Sequence, residues 1–220
     1  PVVEDGAALP DASLAPVQIA EDDPSTPIDW QDPIIEAGIR KALGKNSSKA
    51  ITTDDLAYIT YLAIAGDEVF INNQSFWAYI SEYDHTYSID AGSTMLPITD
   101  IRVSLADLKY FRNLQDLNLT AVAVDDLQPL QLCTSLNSLT LNATGDVDFN
   151  IFKGCASLNR VSVSCSTSVV LTGAGIDSNI TELAFDGCAN LSYDDLADFQ
   201  SLVSLQLFDE NLSDLVFLSK

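Results

Sequence analysis

The chain has 220 residues, 47% of them hydrophobic, a mean hydropathy of +0.15, and a formal net charge of −22 from 10 basic and 32 acidic residues. That is apolar matter for one sizeable core, yet no stretch approaches the ~18 apolar residues of a membrane span. So negative a field repels phosphate backbones and anionic lipid, which excludes nucleic acid and membrane insertion, although the acidity also serves plain solubility.

Residues 1–31 read as a disordered, acidic linker: Pro1, Pro10, Pro16, Pro24 and Pro27 alternate with Ala and acids, too few apolar side chains to offset the entropy of ordering. Such a tether is expected on an exported protein. Residues 32–64 read as a helical N-terminal cap and a first repeat core. Asp32-Pro33 supplies a cap and a first-turn proline for the helix IIEAGIRKAL, in which Ile35, Ile39 and Leu43 share a face before Gly44 stops it. Thr52 and Asp55 frame a capping box for a second short helix, and Ile59-x-x-Leu62-x-Ile64 follows. Residues 65–94 form an aromatic-rich insertion, with Phe70, Phe76, Trp77, Tyr79, Tyr83 and Tyr87 beside the single histidine, His85. It is either a hydrophobic cover over the first repeats or a binding hot spot, with Trp77 as its candidate contact.

From residue 95 to 220 a spacing of 22 governs the chain. The slot at Leu117 recurs as Leu139, Val161, Leu183 and Leu205; two residues on stand Leu119, Leu141, Val163, Phe185 and Leu207; three before stand Leu114, Leu136, Leu158, Ile180 and Leu202. L-x-x-L-x-L at one fixed period defines a leucine-rich repeat, an α/β right-handed solenoid in which each unit gives one strand to a parallel concave sheet. About seven apolar side chains per unit bring roughly 10–20 kcal/mol of burial, against at least ~1 kcal/mol per residue of backbone ordering. A lone unit does not fold, and stacking is obligatory. The same count places an earlier slot at Met95, one period plus 11 residues after Leu62.

Opposite the sheet, the columns Leu105, Leu127, Phe149, Leu171, Tyr193, Leu215 and Leu108, Leu130, Phe152, Ala174, Leu196 predict short convex helices or turns. Ser104, Asp126, Asp148, Ser192 and Asp214 precede them as N-caps, with Ser192 to Asp195 as a weak capping box. The unit with Val170 breaks the column, and LTGAGIDSN reads there as a loop.

The run DPIIEAGIRKALGKNSSKAITTDDLAYITYLAI followed by LQDLNLTAVAVDDLQPL resembles the internalin-like leucine-rich repeat proteins of bacterial cell surfaces, whose helical cap precedes 22-residue repeats. LCTSLNSLTL and FKGCASLNRVSV are similar to the F-x-x-C-x-x-L repeats of BspA-like surface antigens. The resemblance covers about residues 30 to 220 and implies a bacterial, secreted or surface-displayed chain. One departure is that the usual ladder asparagine is replaced by Val122, Thr144, Ser166, Cys188 and Glu210.

Position explains the four cysteines better than chemistry does. Cys133 and Cys155 share the inward slot of Phe111 and Phe199, Cys188 takes the ladder slot and Cys165 a strand end, so buried free thiols are expected over neighbouring-repeat disulfides. His85 has no catalytic motif around it, and no loop carries the D-x-D-x-D spacing of a calcium site. The chain is thus read as no enzyme, with no metal and no cofactor. What remains is the solvent side of the sheet, which alternation assigns to Asp116, Asn118, Thr140, Asn142, Arg160, Ser162, Glu182, Asp186, Gln206 and Phe208. Arg160 and Phe208 are its obvious anchors. Two functions follow: a monomeric interaction module binding a protein or glycan through this concave face, or a non-catalytic scaffold or spacer within a larger surface protein.

Overall fold

The computed structural model describes residues 24–73, 75–81, 84–89, 94–164, 168–188 and 190–208. The expectations for Tyr83, Cys165, Ser166, Glu210, Asp214, Leu215 and the first 23 residues lie outside them.

Helix α1 (Pro33–Leu43) forms as its ends dictate. The Asp32 carboxylate accepts the N–H groups of Ile34 and Ile35, both at 2.9 Å, and Gly44 closes the helix at φ 62°, a left-handed conformation that glycine adopts without strain. Ile35 and Ile39 are fully buried. Helix α2 (Thr53–Leu56) is held at its start by Asp55, whose carboxylate accepts the Thr52 backbone N–H at 2.8 Å. The linker expected through residue 31 ends earlier. Pro27 bridges Thr52, Ile28 donates to the Ile51 carbonyl at 2.8 Å, and Ile28 and Trp30 pack on the core, because these apolar side chains find a surface that composition alone cannot reveal.

Strands β1 (Tyr61–Ala65), β2 (Glu68–Ile71), β3 (Ala78–Ser81), β4 (Thr86–Ile89), β5 (Leu96–Pro97), β6 (Arg102–Val103), β7 (Asp116–Thr120), β8 (Ala123–Val124), β9 (Ser138–Asn142), β10 (Val147–Asp148), β11 (Arg160–Ser164), β12 (Val169–Val170), β13 (Glu182–Asp186) and β14 (Ser204–Phe208) follow. The main sheet has the order β14-β13-β11-β9-β7-β1-β2, parallel except for β2. Its register repeats the period, with Leu117 beside Leu139, Leu139 beside Val161, Val161 beside Leu183 and Leu183 beside Leu205. Ladder bonds extend past each strand. The carbonyls of Thr60, Gln115, Asn137, Asn159 and Thr181 each accept two consecutive N–H groups of the next unit, and Ala121 and Ala143, at φ 53° and 51°, donate sideways to Asn142 and Ser164. Between the sheet and the convex side lies one continuous core from Ile35 to Phe199.

One expectation changes here. No strand of the main sheet starts at the Met95 slot: β1 lies directly beside β7, with Leu62 opposite Leu117 and Ile64 opposite Leu119. Met95 is 41% exposed, and Leu96–Pro97 pairs with β4 in a separate antiparallel sheet of order β3-β4-β5. Along the chain, the insertion therefore falls between the first strand and its own convex turn. The convex elements, expected as short helices or turns, are 3-10 turns at Leu105–Tyr110, Gln128–Leu132, Phe149–Gly154 and Tyr193–Asp198. A 3-10 turn rises about 2.0 Å per residue, so it crosses the back of a short unit in fewer residues than an α-helix. Residues 172–177, in the unit with Val170, form turns alone.

The capping column holds at three positions: Ser104 accepts Ala106 N–H at 3.4 Å, Asp126 that of Gln128 at 2.8 Å and Asp148 that of Asn150 at 2.9 Å. Ser192 makes no side-chain cap bond, so the capping box there does not form; Asp195 accepts the Thr172 hydroxyl at 2.9 Å instead.

Candidate functional site: the concave sheet face

Alternation along β7, β9, β11, β13 and β14 points leucine, valine and phenylalanine inward and sets the intervening side chains outward in three rows. The register aligns Asp116, Ser138, Arg160, Glu182 and Ser204 in the first row. Asn118, Thr140, Ser162, Ala184 and Gln206 make the second, and Thr120, Asn142, Ser164, Asp186 and Phe208 the third. The candidates named from the sequence, Trp77 apart, thus share one face.

The rows are internally bonded. Arg160 Nε donates to Glu182 Oε2 at 2.8 Å and its Nη2 to Oε1 at 3.0 Å, a bidentate pair between neighbouring strands. The hydrogen bond from Arg160 holds the Glu182 carboxyl below its ordinary range, and Glu182, then Asp116, raises the arginine. The guanidinium expected as a free anchor is committed to its neighbour. At the other end, the buried Thr120 hydroxyl donates to Asn118 Oδ1 at 2.8 Å and accepts from Asn142 Nδ2 at 3.3 Å. Phe208 stands 54% exposed on the last strand.

The face is closed at its first strand. Ala63 and Ala65, two of the three outward residues of β1, are fully buried beneath Phe76 and Tyr87, with the third, Tyr61, and Phe70, Ala78, Ile80, Ile89 and Ile98 packed alongside. Phe70 and Phe76 stack tilted, 5.0 Å between centroids. Burial raises the Tyr87 phenol, and Gly66, at φ 58°, sits where a Cβ would overlap that hydroxyl. The insertion is therefore a cover over the start of the sheet, and Trp77 within it is 48% exposed. One signal for this was present in the sequence: YLAIA places alanine in two of the three outward slots of β1, where the other strands carry mostly polar groups.

Cys133, Cys155 and Cys188 are buried free thiols. Burial pushes Cys133 up to about 12 and Cys155 to about 11. On the convex side, a cleft of about 380 Å³ is lined by Asp125, Asp126, Asp146 and Asp148 among others. Asp126 and Asp148 are helix caps there, and Asp125 pairs with Arg102. No group of three or more potential metal ligands is gathered among the described residues, and none of the described helices is long and apolar enough to cross a membrane.

A parallel sheet with 22-residue register, convex 3-10 turns and a helical cap is a leucine-rich repeat solenoid. No protein-family model and no curated protein matches the chain. Among solved structures it is similar to internalin InlF from Listeria monocytogenes, at 19% identity and TM-score 0.49 over 86% of this chain and 60% of that one. It is also similar to internalin C2 from the same organism, at 20% identity and TM-score 0.40 over 86% and 89%. The repeat ectodomain of the receptor kinase SOBIR1 from Arabidopsis thaliana matches at 15% identity and TM-score 0.33 over 80% and 92%. The chain spans 60% of the length of InlF.

Proposed function

We propose that this chain is a secreted or surface-displayed bacterial interaction module, non-catalytic, that binds a protein or glycan partner across the concave face of β7 to β14. The observation that carries this reading is the face itself: three rows of outward side chains, mostly short and polar, on a rigid sheet whose register is fixed by the core beneath it. A flat, hydrogen-bonding surface of this kind suits an extended macromolecular contact better than a small molecule, which needs a concave apolar pocket. Asp116, Asn118, Thr140, Asn142, Ser162, Asp186 and Gln206 supply the polar contacts, Phe208 an aromatic anchor, and the Arg160–Glu182 pair a charged centre that a partner can reopen. The insertion marks where the contact ends, since it covers β1.

The test is binding of the purified chain to panels of purified extracellular proteins and of glycans, followed by variants. Ser162→Tyr, a steric block at the middle of the second row, and the double variant Arg160→Ala with Phe208→Ala are each expected to weaken a saturable hit at least tenfold. Lys153→Glu on the convex side leaves it unchanged. Hits indifferent to both concave variants would refute the assignment.

A further inference from the structure

Phe208 is the one large apolar side chain among the outward residues of β7 to β14. Leu205 and Leu207 of the same strand pack against the core, while the Phe208 ring stands 54% exposed. The register sets it directly beside Asp186 of β13. Neighbouring strands run about 4.8 Å apart and both side chains leave the same face, so a single cation seated on the ring lies within the near field of the carboxylate. Asp186 also interacts within the chain, and its part beside the ring is its negative charge.

Charge selects the group that such a pair receives. Arg160 is the single cation among the outward residues of these strands, and it is forked onto Glu182 at 2.8 and 3.0 Å. Residues 161–208 hold six Asp or Glu and neither Lys nor Arg. That surround repels an anion, offers a neutral sugar no gain, and draws a cation towards the ring face, whose quadrupole attracts it as well. Of the two side-chain cations, arginine suits the ring better: its planar guanidinium stacks on an aromatic face and is weakly hydrated, whereas an ammonium is a compact charge that holds its water. We propose, resting on the concave-face reading above, that Phe208 and Asp186 receive an arginine of a protein partner, its guanidinium stacked on the ring in the field of the carboxylate. The face then takes an arginine-bearing protein segment and not a glycan.

The probe is a fluorescein-labelled acetyl-(Arg-Gly)5-amide peptide, titrated against the full chain by anisotropy at 50 and 150 mM NaCl, beside its lysine and citrulline counterparts. Saturable binding is expected, weaker at the higher salt, about two- to fivefold tighter for arginine than for lysine, and lost with uncharged citrulline. Phe208→Leu keeps an apolar side chain but no ring and should remove the preference for arginine over lysine. Because the ring is exposed, that variant keeps the wild-type circular dichroism and thermal midpoint. Asp186→Asn should weaken both cationic peptides, while Asp146→Asn on the convex side, the same change in net charge, leaves both affinities unchanged. Absence of saturable binding overturns the proposal, as does a Phe208→Leu variant that still prefers arginine. A loss on Asp186→Asn that Asp146→Asn reproduces would reduce the effect to net charge and overturn it too. A neutral oligosaccharide that binds in a Phe208-dependent way while the arginine peptide does not would make the position a glycan contact, again against the proposal. These results leave the concave-face reading standing, since that reading fails when panel hits are indifferent to Ser162→Tyr and to the Arg160→Ala, Phe208→Ala pair.

Discussion

Asp32 and Asp107, 75 residues apart, lock the N-terminal cap onto the first convex turn, and Asp107→Ala is the sharpest probe of that joint. Asp107 is fully buried; its carboxylate accepts the Gln31 N–H at 2.9 and 3.1 Å and the Asp32 N–H at 2.8 Å. Asp32 reciprocates by accepting the Ser104 N–H at 2.7 Å while capping α1. Hydrogen bonds to a charged group contribute about 1.5–3 kcal/mol each, and a buried donor left empty keeps its desolvation penalty. Against that stands the cost of burying the carboxylate itself, which raises its pKa above the ordinary value of 3.8, the two N–H donors and Lys109 pulling the other way and Asp32 adding to the rise. The net loss expected for Asp107→Ala is about 2–4 kcal/mol. Urea unfolding followed by circular dichroism measures it, and hydrogen exchange locates it: Pro33–Leu43 should lose protection while β9 to β13 keep theirs. The sign of the pH dependence follows from the raised pKa. A carboxyl that binds its proton more tightly when folded contributes most below the unfolded value of about 3.8, and its contribution shrinks as pH rises through the folded value. The gap between wild type and variant should therefore narrow from pH 3.5 to pH 7. A loss below about 0.5 kcal/mol, exchange that rises evenly along the solenoid, or a gap that widens with pH would each refute the reasoning.

Gly66→Ala should dislodge the insertion, since a Cβ there overlaps the Tyr87 hydroxyl and the φ of 58° is strained for alanine; Tyr87 solvent exposure, read by near-ultraviolet absorbance, should rise. Asp148→Ala removes the 2.9 Å cap bond to Asn150 and should cost about 1 kcal/mol in a denaturant melt. Cys133 and Cys155, with pKa values of about 12 and 11, should resist iodoacetamide in the native chain at pH 8 and react fully after unfolding without reductant. Mass measurement showing two or fewer alkylated thiols would mean a disulfide is present.

What the sequence determined by itself is everything that obeys the period. A 22-residue interval puts Leu117 beside Leu139, and it equally puts Arg160 beside Glu182, so the concave rows and even their ion pair are legible from spacing. Local rules placed the caps of α1 and of the turns at Ser104, Asp126 and Asp148, because a cap is an interaction over two or three residues. The tertiary structure alone decided what has no period. The insertion folds back over Ala63 and Ala65, β1 skips the Met95 slot to meet β7, residues 24–31 join the cap, and Asp107 reaches Asp32. Each of these contacts joins segments whose separation follows no repeating interval. Apolar surface must be covered wherever it is left open, and buried backbone donors must find acceptors, but which segment answers either demand depends on how the whole chain closes.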